Sequence, residues 1–530
     1  MPLLLEGERP EHGSMRTTPL SWTIAVSLAM VLSSAMDVAS PSTADAVNAD
    51  AFPDFDDDGD ADLVVAAPQE DIAGQMDAGA VTVLYGGAGV PGANGSTLLH
   101  EDRTSVEGVA DAGDNFGTSW AAGDFDGDGY DDLAVGSNEA GVAEYVGGVH
   151  LFWGSSTGLT VLGDLFIDRN WPGVPGDPTK SDLFGGALAA GDFDGDGSMD
   201  LAVGASFVQH ESGVRSGAVF VFSGAADTLT FDRVIRQGLD GIPGNPESDD
   251  RFGSSLAAGN FDGGAYDDLA IGAPNEDIGD FHEAGWLVAV EGSSTGLAPS
   301  SAIELRPGVG GVPGATKKLA HFGGYLAAGE LHADGRDELL VCAAEYSPAG
   351  FLGALYVLKG SSAGPSGAAG ERLTAESYGT DLQTITSESF CADTPAIGDI
   401  DGNGRSDVVL RFSRYPFRGA VGVLYGQGAS EPLLRKRTMR ISQSTPGVVG
   451  AHEPRDSFGA SPRVLDFDGD GYGDVVVGVP GEDQLGVTDG GEIWMHDGPL
   501  VAIDSGDQRR VHQDSPGVPG ALEADDGWGY

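Results

Sequence analysis

Nine-residue acidic loops return seven times along this chain, at intervals of 67 to 70 residues, and their side chains are suited to holding a hard cation. Five are intact: DFDDDGDAD (54–62), DFDGDGYDD (124–132), DFDGDGSMD (192–200), DIDGNGRSD (399–407) and DFDGDGYGD (466–474). Oxygen donors stand at positions 1, 3, 5 and 9, and the backbone carbonyl of position 7 can complete the shell. In the first loop these are Asp54, Asp56, Asp58, Asp62 and the carbonyl of Asp60. The second offers Asp124, Asp126, Asp128, Asp132 and Tyr130; the third offers Asp192, Asp194, Asp196, Asp200 and Ser198. The sixth offers Asp399, Asp401, Asn403, Asp407 and Arg405, and the seventh Asp466, Asp468, Asp470, Asp474 and Tyr472. An all-oxygen set on a tight turn suits Ca²⁺, whose cage is flexible, better than Mg²⁺, which demands stricter geometry. An EF-hand is excluded, because position 12 of the second loop is Val135 and the flanks read as strands.

Two copies are decayed. NFDGGAYDD (260–268) keeps Asp262 and Asp268 but loses Asp at positions 1 and 5, so any site there is weak. ELHADGRDE (330–338) carries Glu330, His332 and Glu338 where Asp is expected, with Arg336 nearby, and is expected to be metal-free.

The elements around the loops repeat with them. About eight residues upstream stands Phe116-Gly117, Phe184-Gly185, Phe252-Gly253, Phe322-Gly323 and Phe458-Gly459, with Phe390-Cys391 as a variant. A short segment such as SLAAGNF (255–261) enters each loop, and an apolar run such as DLAVGAS (200–206) leaves it. A third β-rich run follows, as in GAVFVFSG (217–224), then a less regular stretch and a Gly/Pro turn such as PGVPG (172–176). Four short strands per unit and no helical period predict radially packed sheets: an all-β, seven-bladed propeller of roughly 69-residue repeats. Residues 47–530 number 484, and seven such units consume them, leaving no room for a separate catalytic domain. Repeat one lacks an upstream Phe-Gly, while Trp528-Gly529 falls 70 residues after Phe458. This predicts that the C-terminal segment supplies what the first blade lacks and closes the ring; truncation from a longer array is the alternative.

Bulk properties narrow the partners. A net charge of −55 argues against nucleic acid or an anionic membrane. Five bound Ca²⁺ would add about +10, so much of the acidity serves solubility. Arg16 and the apolar run Leu20–Ala35, followed by Ala44-Asp45-Ala46, read as an export signal over residues 1–46, with Met15 as an alternative start. No later stretch could span a bilayer, which predicts a secreted, cell-surface or periplasmic protein, expected as a monomer. Cys342 and Cys391 sit where other repeats carry Gly, and either a disulfide or two buried thiols fits the sequence.

The Phe-Gly pairs, the DxDxDGxxD loops and the Gly-Ala-Pro-like segments (Gly272-Ala273-Pro274, with Ala66-Ala67-Pro68 and Gly478-Val479-Pro480 as variants) resemble the FG-GAP repeats of integrin α-subunit propellers. The resemblance covers residues 47–530. It implies Ca²⁺ in the hairpin between the first and second strands of a blade, and ligand recognition on the opposite face. That face would comprise connections such as 274–285 and 412–419 and the turns before each Phe-Gly. Integrin leg domains and a membrane helix are absent from this sequence, so heterodimeric signalling does not carry over.

Several patterns are decoys. GSSTG at 154–158 and 292–296 and GSSAG at 360–364 mimic a hydrolase elbow, but repeat after the third strand of a blade and read as turns. The Asn94-Gly95-Ser96 sequon carries weight only in a glycosylating host. Arg435, Lys436, Arg437 and Arg440 read as a solvated strand. Three functions stay open. The favoured one is a Ca²⁺-binding recognition or adhesion module for an extracellular protein or glycan, with no catalytic residues. A polysaccharide lyase or hydrolase is the second, with candidate clusters around Tyr346 and Arg411 to Arg418, and a passive surface component is the third. Trp171, Phe281, Tyr346 and Tyr415 in the variable loops favour recognition.

Overall fold

A computed structural model describes residues 52–529 apart from 88–90, 140–145, 210–212, 227, 348–349, 352, 376–387, 415–417, 427–432, 451–452, 454, 485, 501, 504–505, 521–523 and 525. Residues 1–46, expected to carry an export signal, and Tyr415 lie outside the described residues, as do the side chains of Tyr346, Arg418, Arg435, Lys436 and Arg437.

Among the described residues, seven antiparallel blade sheets follow one another along the chain, and a two-stranded hairpin of Tyr346–Ser347 and Gly350–Phe351 lies in the fifth blade. In the fourth, Ser255–Gly259, Asp268–Ala273, Trp286–Val290 and Ile303–Leu305 pair in sequence order, and the acidic loop joins the first two. The first sheet has three strands among the described residues, Leu63–Ala67, Ala80–Leu84 and Ser96–Leu99. In the sixth, the innermost position is shared by Glu388–Phe390 and Ala396–Gly398, both paired with Asp407–Arg414.

Position within the blade explains composition. First strands of neighbouring blades contact one another around the axis, where sheets crowd, and they read SWAAG, SLAAG and YLAAG. Second strands are buried on both faces and are therefore apolar throughout, as in LVVAA and DLAIGA. Fourth strands form the rim and alternate in exposure, as in Thr228–Ile235.

The core is divided into seven clusters, each filling the space between two adjacent blades. The seventh joins Leu63, Val65 and Leu84 of blade one to Leu465, Val476, Ile493 and Met495 of blade seven. Ser96 Oγ also donates to the carbonyl of Gly517 at 2.6 Å, and Gln513 Nε2 to Glu70 Oε2 at 2.6 Å. The ring is closed, as the repeat count implies.

Trp528-Gly529 supplies the Phe-Gly equivalent that repeat one lacks. Each Phe-Gly docks on the blade before it: Phe252 bridges Gly217 and Phe322 bridges Gly285 in parallel. Trp528 bridges Gly491 of blade seven in the same way, buried against Leu63 and Val65. The C-terminal residues thus supply a wedge at the last seam, and among the described residues they add no strand to the first sheet.

At four seams the glycine after the aromatic residue faces a second glycine. A Cβ at Gly136, Gly204, Gly272 or Gly478 would collide with the carbonyl oxygen of Gly185, Gly253, Gly323 or Gly529 of the following repeat. At the fifth-to-sixth seam these two positions are Cys342 and Cys391, and they form a disulfide with Cα atoms 5.6 Å apart. A bridge across a separation of 49 residues restrains the unfolded chain by about 4 kcal/mol in the chain-entropy picture.

Trp528→Ala should cost about 3–5 kcal/mol, the range for a buried aromatic, and should expose the seam between blades seven and one first. Denaturant unfolding with hydrogen exchange on Leu63–Ala67 checks this; a loss below about 1 kcal/mol would mean that Trp528 does not close the ring.

Candidate metal centres

Local chain chemistry builds the acidic loops before any ion is considered. In the first loop Asp54 accepts the N–H groups of Asp58 (3.1 Å) and Gly59 (2.9 Å), and Asp58 accepts that of Asp60 (2.9 Å). The second, sixth and seventh loops repeat the fold: Asp124 accepts from Asp128 and Gly129, Asp399 from Asn403 and Gly404, and Asp466 from Asp470 and Gly471. The third keeps the bond from Gly197 to Asp192. These bonds aim the short Asp side chains inward.

The carboxylates converge. Donor oxygens of Asp54, Asp56 and Asp58 lie within 4.8 Å of one another, as do those of Asp124, Asp126 and Asp132, of Asp192, Asp194 and Asp196, and of Asp399, Asp401 and Asp407. Like charges this close repel by roughly 3 kcal/mol per pair at an effective dielectric near 20. Asp56 Oδ1 is buried and has no hydrogen-bond partner among the described residues. Burial, then the charges of Asp58 and Asp54, push the Asp56 carboxyl above its ordinary range. An orphaned oxygen facing two other carboxylates is the donor set that a divalent cation satisfies.

Position 9 has a second occupation that the sequence did not reveal. Its carboxylate is buried in all seven blades and accepts one N–H from loop position 2 and another from the glycine after the third strand. Phe125 and Gly154 reach Asp132 at 2.9 and 2.8 Å, and Phe467 and Gly498 reach Asp474 at 2.9 and 2.6 Å. The same pair holds Asp62, Asp200, Asp268 and Asp407, and in the decayed fifth loop Leu331 and Gly360 hold Glu338. Each oxygen keeps a second lone pair, so the clamp is compatible with metal ligation. Desolvation pushes Asp62 and Asp132 up to about 8 and Asp200, Asp268, Asp407 and Asp474 to about 7, against the lowering effect of the two N–H donors.

Position 8 stitches neighbouring loops together. Asp131 Oδ2 accepts the N–H of Asp54 at 3.0 Å, Asp267 that of Asp192 at 3.0 Å, and Asp337 that of Asn260 at 2.8 Å. Backbone bonds return the contact, as from Asp267 N to the Asp192 carbonyl at 2.9 Å. An Asp at position 8 of loops two, four and five was the available signal. The GSSTG turns dock on the same edge: Ser155 N donates to the Phe55 carbonyl, and Ser293 N to that of Phe193. Their serines close their own turns, Ser155 Oγ to the Gly158 carbonyl at 2.7 Å, so they are turns and not nucleophiles.

The decayed loops differ as their sequences imply. In loop four Asn260 Nδ2 donates to the Gly264 carbonyl at 3.2 Å, and Asp262 Oδ1 accepts Gly264 N–H at 2.6 Å. In loop five His332 Nδ1 lies 2.6 Å from Glu338 Oε2, so a side-chain cation is at hand when the imidazole is protonated. Of the catalytic candidates, Arg411 is spent on Asp393 at 3.0 Å.

Comparison with known proteins agrees with this architecture. Residues 46–84, 116–152, 184–222 and 458–495 match the FG-GAP repeat. Phosphatidylinositol-glycan-specific phospholipase D of Rattus norvegicus is 35% identical over 180 residues, 32% of this chain and 19% of that protein. Integrin alpha-5 of Xenopus laevis is 31% identical over 228 residues, 42% of this chain and 19% of that protein. The matches thus span under a fifth of either relative. Among solved structures, the exotype rhamnogalacturonan lyase YesX aligns over 83% of this chain and 73% of its own at 12% identity, with a TM-score of 0.34. The fold and site define a seven-bladed β-propeller with an acidic hairpin loop on each blade. Four stretches of the chain match the FG-GAP repeat, and integrin alpha subunits are among the proteins it is similar to.

The clamp carboxyls fix a pH signature. With folded values near 7–8 and unfolded values near 3.9, the metal-free fold holds protons that the unfolded chain has released. Metal-free protein should therefore lose stability as pH rises from 5 to 8, and saturating Ca²⁺ should reverse that slope, since ligation needs ionised oxygens. Thermal melts across this range in both conditions test it; equal slopes would contradict it.

Proposed function

We propose that this chain is an exported, Ca²⁺-stabilised recognition propeller that binds a protein or glycan on the face opposite its acidic loops. The observation that carries the reading is the convergence of side-chain oxygens in one kind of hairpin, repeated blade after blade. Loops one, two, three, six and seven would each hold one Ca²⁺ through positions 1, 3, 5 and 9 and the position 7 carbonyl. When bound, the ion neutralises carboxylates that otherwise repel. Loop four, reduced to Asp262 and Asp268, would bind weakly, and loop five, where His332 stands 2.6 Å from Glu338, would hold no ion.

Recognition falls to the connections that vary between blades. Among the described residues Phe281, Met76 and Val109 are large apolar side chains left exposed. Phe281 lies in the second-to-third-strand connection of blade four, and Met76 in that of blade one. Exposed apolar side chains on otherwise acidic loops are anchors of the kind that interfaces bury. Trp171, by contrast, packs partly against the core between blades two and three and is a weaker candidate. No helix among the described residues is long and apolar enough to cross a membrane. Export rests on the N-terminal segment.

Ca²⁺-loaded protein applied to a glycan array and to secreted-protein extracts should capture ligand, with capture lost in chelator and reduced several-fold by Phe281→Ala. Capture indifferent to both changes would contradict recognition through this face. Absence of any capture would favour a passive structural role.

A further inference from the structure

Behind the acidic loops, several seams between blades bury a second carboxylate that has a side-chain donor from the neighbouring blade. Gln237 Nε2 donates to Glu276 at 2.8 Å, Gln443 Nε2 to Glu482 at 2.5 Å, and Gln513 Nε2 to Glu70 at 2.6 Å. Elsewhere the donor is cationic. Arg169 faces Asp182 at 3.5 Å between blades two and three, and Lys317 pairs with Glu345 between blades four and five.

The seam between blades one and two departs from this. Glu101 follows Leu99 by two residues, as Gln237 follows Ile235 and Gln443 follows Ile441, so it occupies the position of those glutamines. An acid therefore faces another acid, Glu139, with His150 between them. His150 is fully buried and Glu101 is 1% exposed at its side chain. Neither nitrogen of His150 and neither carboxylate oxygen of Glu101 has a hydrogen-bond partner among the described residues. Such orphans are costly in a low-dielectric core.

The His150–Glu101 separation is that of co-ligands, and the His150–Glu139 separation is a few tenths of an ångström longer. His150 Nε2 lies 3.4 Å from Glu101 Oε1 and 3.8 Å from Glu139 Oε1. Hydrogen-bonded pairs sit about 2.7–3.2 Å apart. Nitrogen and oxygen ligands about 2.0–2.1 Å from a tetrahedral ion lie about 3.3–3.5 Å from one another. One donor atom from each of the three residues falls within 4.8 Å of the others.

The surroundings also hold the ligands in place. Ser137 Oγ donates to Glu139 Oε1 at 2.6 Å. Asp164 Oδ2 stands 3.8 Å from the far nitrogen, Nδ1, and is itself fixed by the Glu107 N–H at 2.9 Å. A carboxylate behind a ligating histidine orients the ring and raises its basicity. Phe116 and Phe166, with ring centroids 5.2 and 4.8 Å from that of His150, wall off water. With a neutral imidazole and two ionised glutamates, a divalent ion leaves the three-ligand set uncharged. A proton on His150 would leave it at −1.

We propose that Glu101, Glu139 and His150 form a buried site for a borderline divalent ion of the Zn²⁺ type, distinct from the acidic loops and set between blades one and two. Imidazole nitrogen with two carboxylates selects such an ion over Ca²⁺, which takes oxygen alone. With the ligands drawn from two blades, the ion would bridge the seam and act structurally.

The test uses the full chain stripped of metal, then dialysed against Zn²⁺ with Ca²⁺ in excess, and counts retained zinc by elemental analysis. Wild type should retain one equivalent. Glu101→Gln, which re-creates the Gln–Glu pair of the other seams and should fold, should lose that equivalent, and Glu139→Gln should do the same. With Co²⁺ as the probe, wild type should show a d–d absorption band that both variants lack. Failure of wild type to retain zinc, or undiminished retention by both variants, would overturn the proposal. Because Ca²⁺ is in excess throughout, calcium content measured on the same samples reports on the acidic loops separately.

Discussion

A carboxylate at the ninth loop position, removed from solvent and bridged by two backbone N–H groups, recurs in every blade and fixes the hairpin from which the ring is assembled. It ties the start of the acidic loop to the end of the third strand, as Asp132 does with Phe125 and Gly154. The clamp persists in the fifth blade, where Glu338 replaces Asp and the neighbouring ligand positions have decayed. Its persistence there separates two demands on one residue. The backbone clamp recurs in every blade, whereas the full set of candidate ligands recurs only where positions 1, 3 and 5 keep their oxygens.

Blade-to-blade contact is built from the same short motifs. Loop position 8 bonds to position 1 of the preceding loop, the turn after the third strand bonds to its position 2, and each Phe-Gly wedges against the preceding blade. The glycine pairs at these wedges allow backbones to approach more closely than any side chain permits. Replacing one pair by Cys342 and Cys391 exchanges that close approach for a covalent tie, possible because the two positions already face each other. Ring closure then requires only one more wedge, which Trp528 provides.

Much of this was legible because it repeats. Strand order, blade number and loop position follow from a period that seven copies enforce, and the decayed loops were visible as departures from their neighbours. Contacts that exist only between blades were not legible. Asp131 and Asp267 read as extra acidity in a loop until the fold brought them to Asp54 and Asp192. Glu101, Glu139 and His150 are scattered over 50 residues and match no spacing motif, since a rim position, a connection and a third strand meet only when two sheets stack. The two cysteines stood between these cases. Their shared alignment with glycine was evident, but their proximity depended on which glycines touch. The C-terminal wedge was legible because Trp528-Gly529 keeps the period of the Phe-Gly pairs, but the blade on which such a pair docks was not.

The claim on which the account rests is that ions held by the acidic loops stabilise the hairpins that the clamp defines. Thermal unfolding of Asp126→Ala combined with Asp128→Ala, measured in saturating Ca²⁺ and again in chelator, tests it most directly. The account predicts a clear fall in melting temperature in Ca²⁺ and little change in chelator. An equal fall in both conditions, or none in either, would contradict it.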